Sequence, residues 1–506
     1  MVDKVIQGKT RTRREFCAFY TESDPILTYM VKKLGVENSD LVLEPCAGDG
    51  VFIEKIFEMH KDKNFQIEAM DLNTEAIKNL EDKFDNEKVI VKQADTLLDL
   101  TLDLFANSGG RYSKIIGNPP YGAWQDYQKR DILKKRYGGY VKETYALFLR
   151  RCLDLLKEGG KLVFIVPDTF LALHLHKGLR RAILENTAIE EVLLMPSKFF
   201  PGVNFGYSNL CIISFEKTRN NKKNQFKIVS VNESISNLYK LADGDYSVAK
   251  SVESISQDKV RSSVDYSFLL GGNTKIRKLI NEAKTTLGDV ANCVTGFYSG
   301  DNKTYLAARD NTVKGSKGYR VVHIASVEND FLKQNDLIDG LSNGKKYIPI
   351  LKGGNGRFSK NTDWFVQWDV KTVSYYQKSK TARFQNPQYY FKEGIGVPMV
   401  KSSKIHAFLL GQRLFDQSIV GIFPKNNEYL NYLLAFLNSD ACSRILNVIN
   451  HTANNSANYL KKLPVVLDPA SIRKADKIMG DLKEGLVDVQ QSLTRVNTIF
   501  NGLYKL

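Results

Sequence analysis

A chain of 506 residues is long enough for two to four domains that each bury a core, and its texture reads as two. An apolar content of 43% with 25% charged residues argues against a disordered chain, and no apolar run approaches the roughly 20 residues that cross a bilayer. A formal net charge of +16 points to a polyanionic partner, with nucleic acid the leading candidate.

The start, Met1-Val2-Asp3-Lys4, has no apolar signal core. Six cysteines (Cys17, Cys46, Cys152, Cys211, Cys293 and Cys442) include no Cys-x-x-Cys pair, which argues against a disulfide framework and a zinc site. The expected location is cytoplasmic.

In chain order, Ser23-Asp24-Pro25 followed by Ile26, Leu27, Met30, Val31 and Leu34 predicts a capped helix that stops at Gly35. A buried strand, Leu41 to Glu44, leads into the turn Pro45-Cys46-Ala47-Gly48-Asp49-Gly50 and a helix from Val51 through Phe57. Strands at Ile67 to Met70 and Val89 to Val91 close with Asp71 and with Gln93-Ala94-Asp95-Thr96. Ile115-Ile116-Gly117 is a fourth strand, stopped by Asn118-Pro119-Pro120-Tyr121, because each proline lacks an N–H and fixes φ. A helix from Tyr145 to Leu156, ended by Gly159-Gly160, precedes the apolar strand Leu162 to Val166. Strands alternating with helices imply an α/β, doubly wound, Rossmann-like parallel sheet.

After Phe215 the texture turns polar and basic, so the division falls between 216 and 260, giving domains of 1–240 and 241–506. The second is expected to be mixed α+β. Its end carries a stripe from Ile472 through Leu503 at spacings of three and four, started by Asp468-Pro469, which predicts one long amphipathic helix over 469–503 uninterrupted by Gly480 and Gly485. The stripe is expected to pack on the chain's own second domain, the alternative being a self-pairing coiled coil, so a monomer is expected and a dimer through this helix is the other outcome.

A glycine turn between strand and helix lets the backbone approach a ligand and presents helix N–H groups to an anion such as a carboxylate. It is neither Gly-x-Gly-x-x-Gly nor a Gly-Lys-Ser/Thr loop, which disfavours a nucleoside triphosphate. Asp71, 23 residues past Gly48 at a strand end, is placed to accept from both ribose hydroxyls, so the cofactor should contain an adenosine. Asp95, ending the next strand, is placed to accept from an adenine amine. Taken singly, each aspartate is more often a cap or turn residue than a ligand.

These motifs together resemble the gamma-type, TaqI-like DNA adenine methyltransferases of restriction-modification systems. The resemblance rests on Glu44-Pro45-x-Ala47-Gly48-x-Gly50, Asp71, Asp95, Asn118-Pro119-Pro120-Tyr121 and Leu156-Lys157-x-Gly159-Gly160-x-Leu162 to Pro167. It resumes at Ile348 to Gly353, Leu437-Asn438-Ser439 and Leu463-Pro464, which look like landmarks of the family's target-recognition domain.

It implies S-adenosyl-L-methionine as cofactor, double-stranded DNA as substrate and a cognate restriction endonuclease as genetic partner. It also implies a cofactor site of Thr21, Glu44, Ala47, Gly48, Asp71, Leu72, Asp95, Thr96 and Asn118. Asn118 and Pro119 would accept from the N6 amine of a flipped-out adenine, and Tyr121 would stack on it. Phe200 matches the second stacking position, with Phe199 and Phe205 as alternatives. Thr21 stands apart from Pro25 where the family often has adjacent Thr-Pro, so Thr21 or Ser23 fills that role. With a first landmark already at Tyr20-Thr21, no fused nuclease is expected.

Cys46 lies in the cofactor turn and reads as small filler, not as a nucleophile. His174 and His176 lie two apart, and no metal is expected there. Between Lys345 and Lys404, cations alternate with aromatics: Tyr347, Arg357, Phe358, Trp364, Trp368, Lys371, Tyr375, Tyr376, Lys378, Lys380, Arg383, Tyr389, Tyr390 and Lys401. This interleaving reads as a DNA interface, or else as a solvated basic surface over an aromatic core. Asn-Pro-Pro-Tyr also occurs in methyltransferases acting on RNA or on a protein glutamine. Those readings, and a catalytically silent DNA-binding specificity module, are the alternatives.

Overall fold

The computed structural model describes residues 23–84, 87–122, 127–137, 143–196, 199, 209–231, 234–269, 274–354, 356–450 and 454–506. The chain divides into two compact units, the first ending at Phe268 and the second beginning at Leu269.

The first unit is built on nine strands: β1 (Leu41–Glu44), β2 (Gln66–Asp71), β3 (Val89–Gln93), β4 (Tyr112–Gly117), β5 (Leu156–Pro167), β6 (Thr187–Met195), β7 (Leu210–Lys217), β8 (Gln225–Ser230) and β9 (Ser251–Ser256). They lie in the order β3-β2-β1-β4-β5-β7-β6-β8-β9. The first five pair in parallel and β7 runs antiparallel to both neighbours. The order reverses at β1, so a crevice opens between the carboxyl ends of β1 and β4, the place where open α/β sheets bind ligands.

The apolar runs Ile115-Ile116 of β4 and Leu162 to Val166 of β5 are buried because helices cover both faces of a parallel sheet. The helix Asp24–Leu34 buries Ile26, Leu27, Met30, Val31 and Leu34 and is stopped by Gly35 in the left-handed region. Ser23 occupies the cap position, but its side chain makes no capping hydrogen bond.

The helix Thr144–Leu155 hands over directly to β5 at Leu156. Gly159 and Gly160 therefore lie inside the strand and do not end the helix. The division falls later than 240 because β8 and β9 extend the first sheet through Ser256.

The second unit is mixed α+β. A four-stranded antiparallel sheet runs Ala291–Thr295, Ile419–Pro424, Ile395–Pro398, Phe408–Leu409. A five-stranded mixed sheet runs Arg320–Val321, Leu306–Ala308, Trp364–Gln367, Tyr347–Leu351, Leu414–Phe415.

The single C-terminal helix expected over 469–503 is two helices, Pro469–Lys483 and Val489–Tyr504. Gly485 takes φ +74 between them, and Asp488 starts the second helix with a capping box to Gln491. A glycine in the left-handed region followed by a new N-cap outweighs an apolar spacing that runs through both. Leu486, on the expected stripe, is 68% exposed at this break. Val489 is exposed there as well, while Ala475, Met479, Leu493, Val496 and Phe500 are buried: Phe500 meets Tyr432 and Phe436 at 5.3 and 5.5 Å, and Tyr504, beside the stripe, stacks on Phe436.

Candidate active site

The mouth of the crevice is assembled from four strand ends. At the end of β1, Ala47 N donates to Met70 O at 2.8 Å and Gly50 N to Ala47 O at 2.9 Å, closing the turn. Gly50 has φ +75, and a Cβ there would stand 2.6 Å from Leu80 Cδ2, so this helix start accepts no side chain. Thr96 is buried and its hydroxyl donates to Pro45 O at 2.6 Å, so Thr96 braces the turn from beneath.

Asp71 stands at the end of β2 with Oδ2 accepting from Gly48 N at 2.9 Å and Oδ1 from Asn73 N at 2.8 Å. Each oxygen keeps a lone pair for a further donor. Leu72 beside it is 47% exposed, an apolar surface at the rim. Glu44 is 2% exposed and its Oε2 has no hydrogen-bond partner among the described residues. Burial, and then the charge of Asp71, push its carboxyl well above the usual range.

Asp95 follows β3. Its Oδ1 accepts from Leu97 N at 3.1 Å and its Oδ2 from Lys129 Nζ at 2.5 Å.

Asn118, half-buried, begins the proline turn after β4, with Pro119 and Tyr121 buried behind it. The side chain of Asn118 lies in hydrogen-bonding contact with Tyr121, whose hydroxyl burial holds well above its ordinary pKa. Tyr121 is only 5% exposed, more enclosed than an open stacking platform. Burial also pushes the Cys46 thiol up, the opposite of what activates a nucleophile.

The structure thus brings Glu44, Ala47, Gly48, Asp71, Leu72, Asp95 and Asn118 to one end of one sheet, with Thr96 supporting from below. Thr21, Phe200 and Phe205 lie outside the described residues. Phe199 is 8% exposed and packs as a core ring.

Two residues of this region were not singled out from the sequence. Asp168 follows β5, and burial raises its carboxyl to about 6 against the pull of hydrogen bonds from Asn209. Its signal, a carboxylate directly after an apolar strand, is the same one that marked Asp71. Lys129 on the helix Tyr127–Tyr137 carried no such signal, since it reaches Asp95 only through tertiary structure.

Residues 26–200 match the Eco57I restriction-modification methylase family. The likeness to adenine-specific DNA methyltransferases of restriction-modification systems is therefore shown for this part of the chain. The type II methyltransferase M.HincII of Haemophilus influenzae is 28% identical over 212 residues, which cover 40% of this chain and 37% of its own. M.AccI of Acinetobacter calcoaceticus is 28% identical over 192 residues, 36% of this chain and 34% of its own. The adenine-specific methyltransferase BrxX of Escherichia coli is 22% identical over 364 residues, 70% of this chain and 28% of its own.

The matching part thus spans little more than a third of the first two relatives. Among solved structures, the DrdV–DNA complex aligns over 93% of this chain and 58% of its own with a TM-score of 0.56 at 14% identity. The type ISP restriction-modification enzyme LlaBIII aligns over 92% and 39% with a TM-score of 0.54 at 12% identity. That likeness shows the fold of both units.

In the second unit, most of the aromatics between Lys345 and Lys404 are core. Tyr347, Phe358, Trp364, Trp368, Tyr376 and Tyr390 are all under 9% exposed, and Phe297, Trp368, Tyr376 and Tyr390 pack edge to face. Lys371, Lys378, Lys380, Arg383 and Tyr375 form the exposed surface above them. Most of the rings are thus core, with cations and the ring of Tyr375 exposed over them.

The late landmarks also hold structure. Asn438 exchanges hydrogen bonds with both backbone groups of Ala407, Ser439 caps the helix Asp440–Ile449, and Pro464 O accepts from the Tyr504 hydroxyl.

His174 pairs with Asp265 at the surface, while His176 is fully buried and shares a hydrogen bond with the Tyr145 hydroxyl at 3.1 Å.

Proposed function

We propose that the chain is an S-adenosylmethionine-dependent DNA methyltransferase that modifies the N6 amine of a flipped-out adenine, as the modification activity of a restriction system. The observation that carries this reading is the placement of Asn118-Pro119-Pro120-Tyr121 at the end of β4, across the switch point from the Glu44-to-Gly50 turn and in line with Asp71 and Asp95. The donor set fits the cofactor: the orphaned Glu44 Oε2 calls for a ligand's donor, Asp71 keeps acceptor capacity for ribose hydroxyls, and Leu72 offers apolar surface to an adenine. Ala47 and Gly48 form the turn at the methionyl end, Thr96 keeps that turn in place, and Asp95 accepts from the adenine amine.

The cofactor supplies an electrophilic methyl group on a sulfonium. The chain's own task is to make a poor nucleophile better. An adenine amine delocalises its lone pair into the ring. Accepting its two N–H bonds at Asn118 Oδ1 and the Pro119 carbonyl favours tetrahedral nitrogen and localises that pair. Both acceptors sit on a turn stiffened by two prolines, so little reorganisation accompanies the reaction. Tyr121 and Phe200 are assigned to the faces of the extruded base. The +16 charge supports double-stranded DNA as partner.

The test is sequencing of DNA from cells expressing the chain, read for N6-methyladenine at single-base resolution. A methylated adenine at one recurring sequence is expected. DNA that stays unmodified, while RNA or protein acquires the methyl group, overturns the reading.

A further inference from the structure

The carboxylate placed for the cofactor's adenine is engaged. Lys129 Nζ lies 2.5 Å from Asp95 Oδ2, with the two side chains 22% and 20% exposed. The turn carrying Asp95 is held from several sides. Its backbone carbonyl accepts from Leu98 N and Asp99 N, Arg151 donates to Thr96 O and Asp99 O, and Arg136 donates to Leu97 O. The backbone of Asp95 is thus fixed, and its carboxylate is steadied by Leu97 N on Oδ1.

The lysine is carried on a separate element. Its helix is anchored further along by buried Leu133 and Tyr137 and by the two-point pair of Arg136 with Asp103, and Lys129 itself lies in the first turn. A long lysine side chain in that position can swing to solvent while the helix stays docked.

We propose that Lys129 is a built-in competitor for the cofactor's adenine, satisfying Asp95 in the empty protein and giving up Oδ2 when the adenine amine arrives. This rests on the cofactor reading above. The physical reason for such a device is that a carboxylate fixed in a partly buried crevice is costly without a partner. A lysine resolves that cost before the ligand binds, and cofactor affinity is then lowered by the free energy of the displaced pair. A lysine that merely orients Asp95 would act with the opposite sign, because removing it would weaken binding.

The test is calorimetric titration of S-adenosylhomocysteine, which carries no net charge, into the full chain, its Lys129→Met and Lys129→Gln variants, and Lys135→Met, an exposed lysine of the same helix, as a control on charge. Lys129→Met is expected to bind about fivefold more tightly than the wild type, equivalent to about 1 kcal/mol. Lys129→Gln, a neutral and weaker competitor, should fall between them, and Lys135→Met should leave the affinity unchanged. Affinity that is unchanged or weaker in both Lys129 variants overturns the proposal, as does equal tightening in Lys135→Met. If the wild type itself fails to bind S-adenosylhomocysteine, the cofactor reading fails. Wild-type binding that is insensitive to Lys129 sinks the competitor alone.

Discussion

Asn118 illustrates how much one side chain at a strand end is asked to do. Its carboxamide oxygen is the one side-chain acceptor in the proline turn assigned to the reacting amine, so Asn118→Ala should retain cofactor and DNA binding while methyl transfer slows. A barrier increase of about 3 kcal/mol, comparable to losing one preorganised catalytic hydrogen bond, is expected in single-turnover rates. Near wild-type turnover would remove the centre of the proposed mechanism.

His176 makes a second residue-scale prediction, about stability. Burial, with the Arg180 guanidinium adding to the effect, drives its pKa down to about 3 from an ordinary 6.5. Between those values the unfolded chain binds a proton that the folded chain does not, so stability is whole above pH 6.5 and is lost as pH falls towards 3. At pH 5 the loss from this group is about 2 kcal/mol. Urea unfolding at pH 8 and pH 5 should show that difference shrink in His176→Gln, and an equal acid loss in both proteins would refute it.

Among the elements, the C-terminal pair of helices shows how a local break coexists with an unbroken pattern. The apolar spacing runs through both segments, but Gly485 and the Asp488 capping box fold the second segment onto its own domain. Phe500, fully buried between Tyr432 and Phe436, is the joint of that packing. Phe500→Ala should cost about 3 to 5 kcal/mol in urea unfolding, independently of protein concentration. A cost that depends on concentration, together with sedimentation as a dimer, would restore the self-pairing alternative.

At the scale of the whole molecule, the excess of 16 positive charges and the exposed cations over the second unit's aromatic core would make the proposed DNA affinity an electrostatic quantity. The logarithm of the association constant should fall linearly with the logarithm of salt concentration, as release of several counterions requires. Fluorescence anisotropy between 50 and 200 mM salt, a range over which about a thousandfold loss accompanies six or more phosphate contacts, would measure it. A flat dependence would point away from a polyanion.

What the sequence by itself determined were the features governed by near neighbours. Apolar runs marked β1 to β4 to within about three residues and the apolar second half of β5, whose first six residues read instead as a helix end and turn, and carboxylates at or just past those runs marked Asp71 and Asp95. Asn118-Pro119-Pro120-Tyr121 was legible as a rigid strand terminus because two prolines impose that geometry locally. Tertiary structure decided the rest. The nine-stranded order, with β8 and β9 carrying the first unit through Ser256, depends on pairing between distant segments. Which aromatics of the second unit face inward depends on the five-stranded sheet and the distant segments that pack over it. Lys129 reaches Asp95 across 34 residues of chain, a meeting that no periodicity or motif encodes.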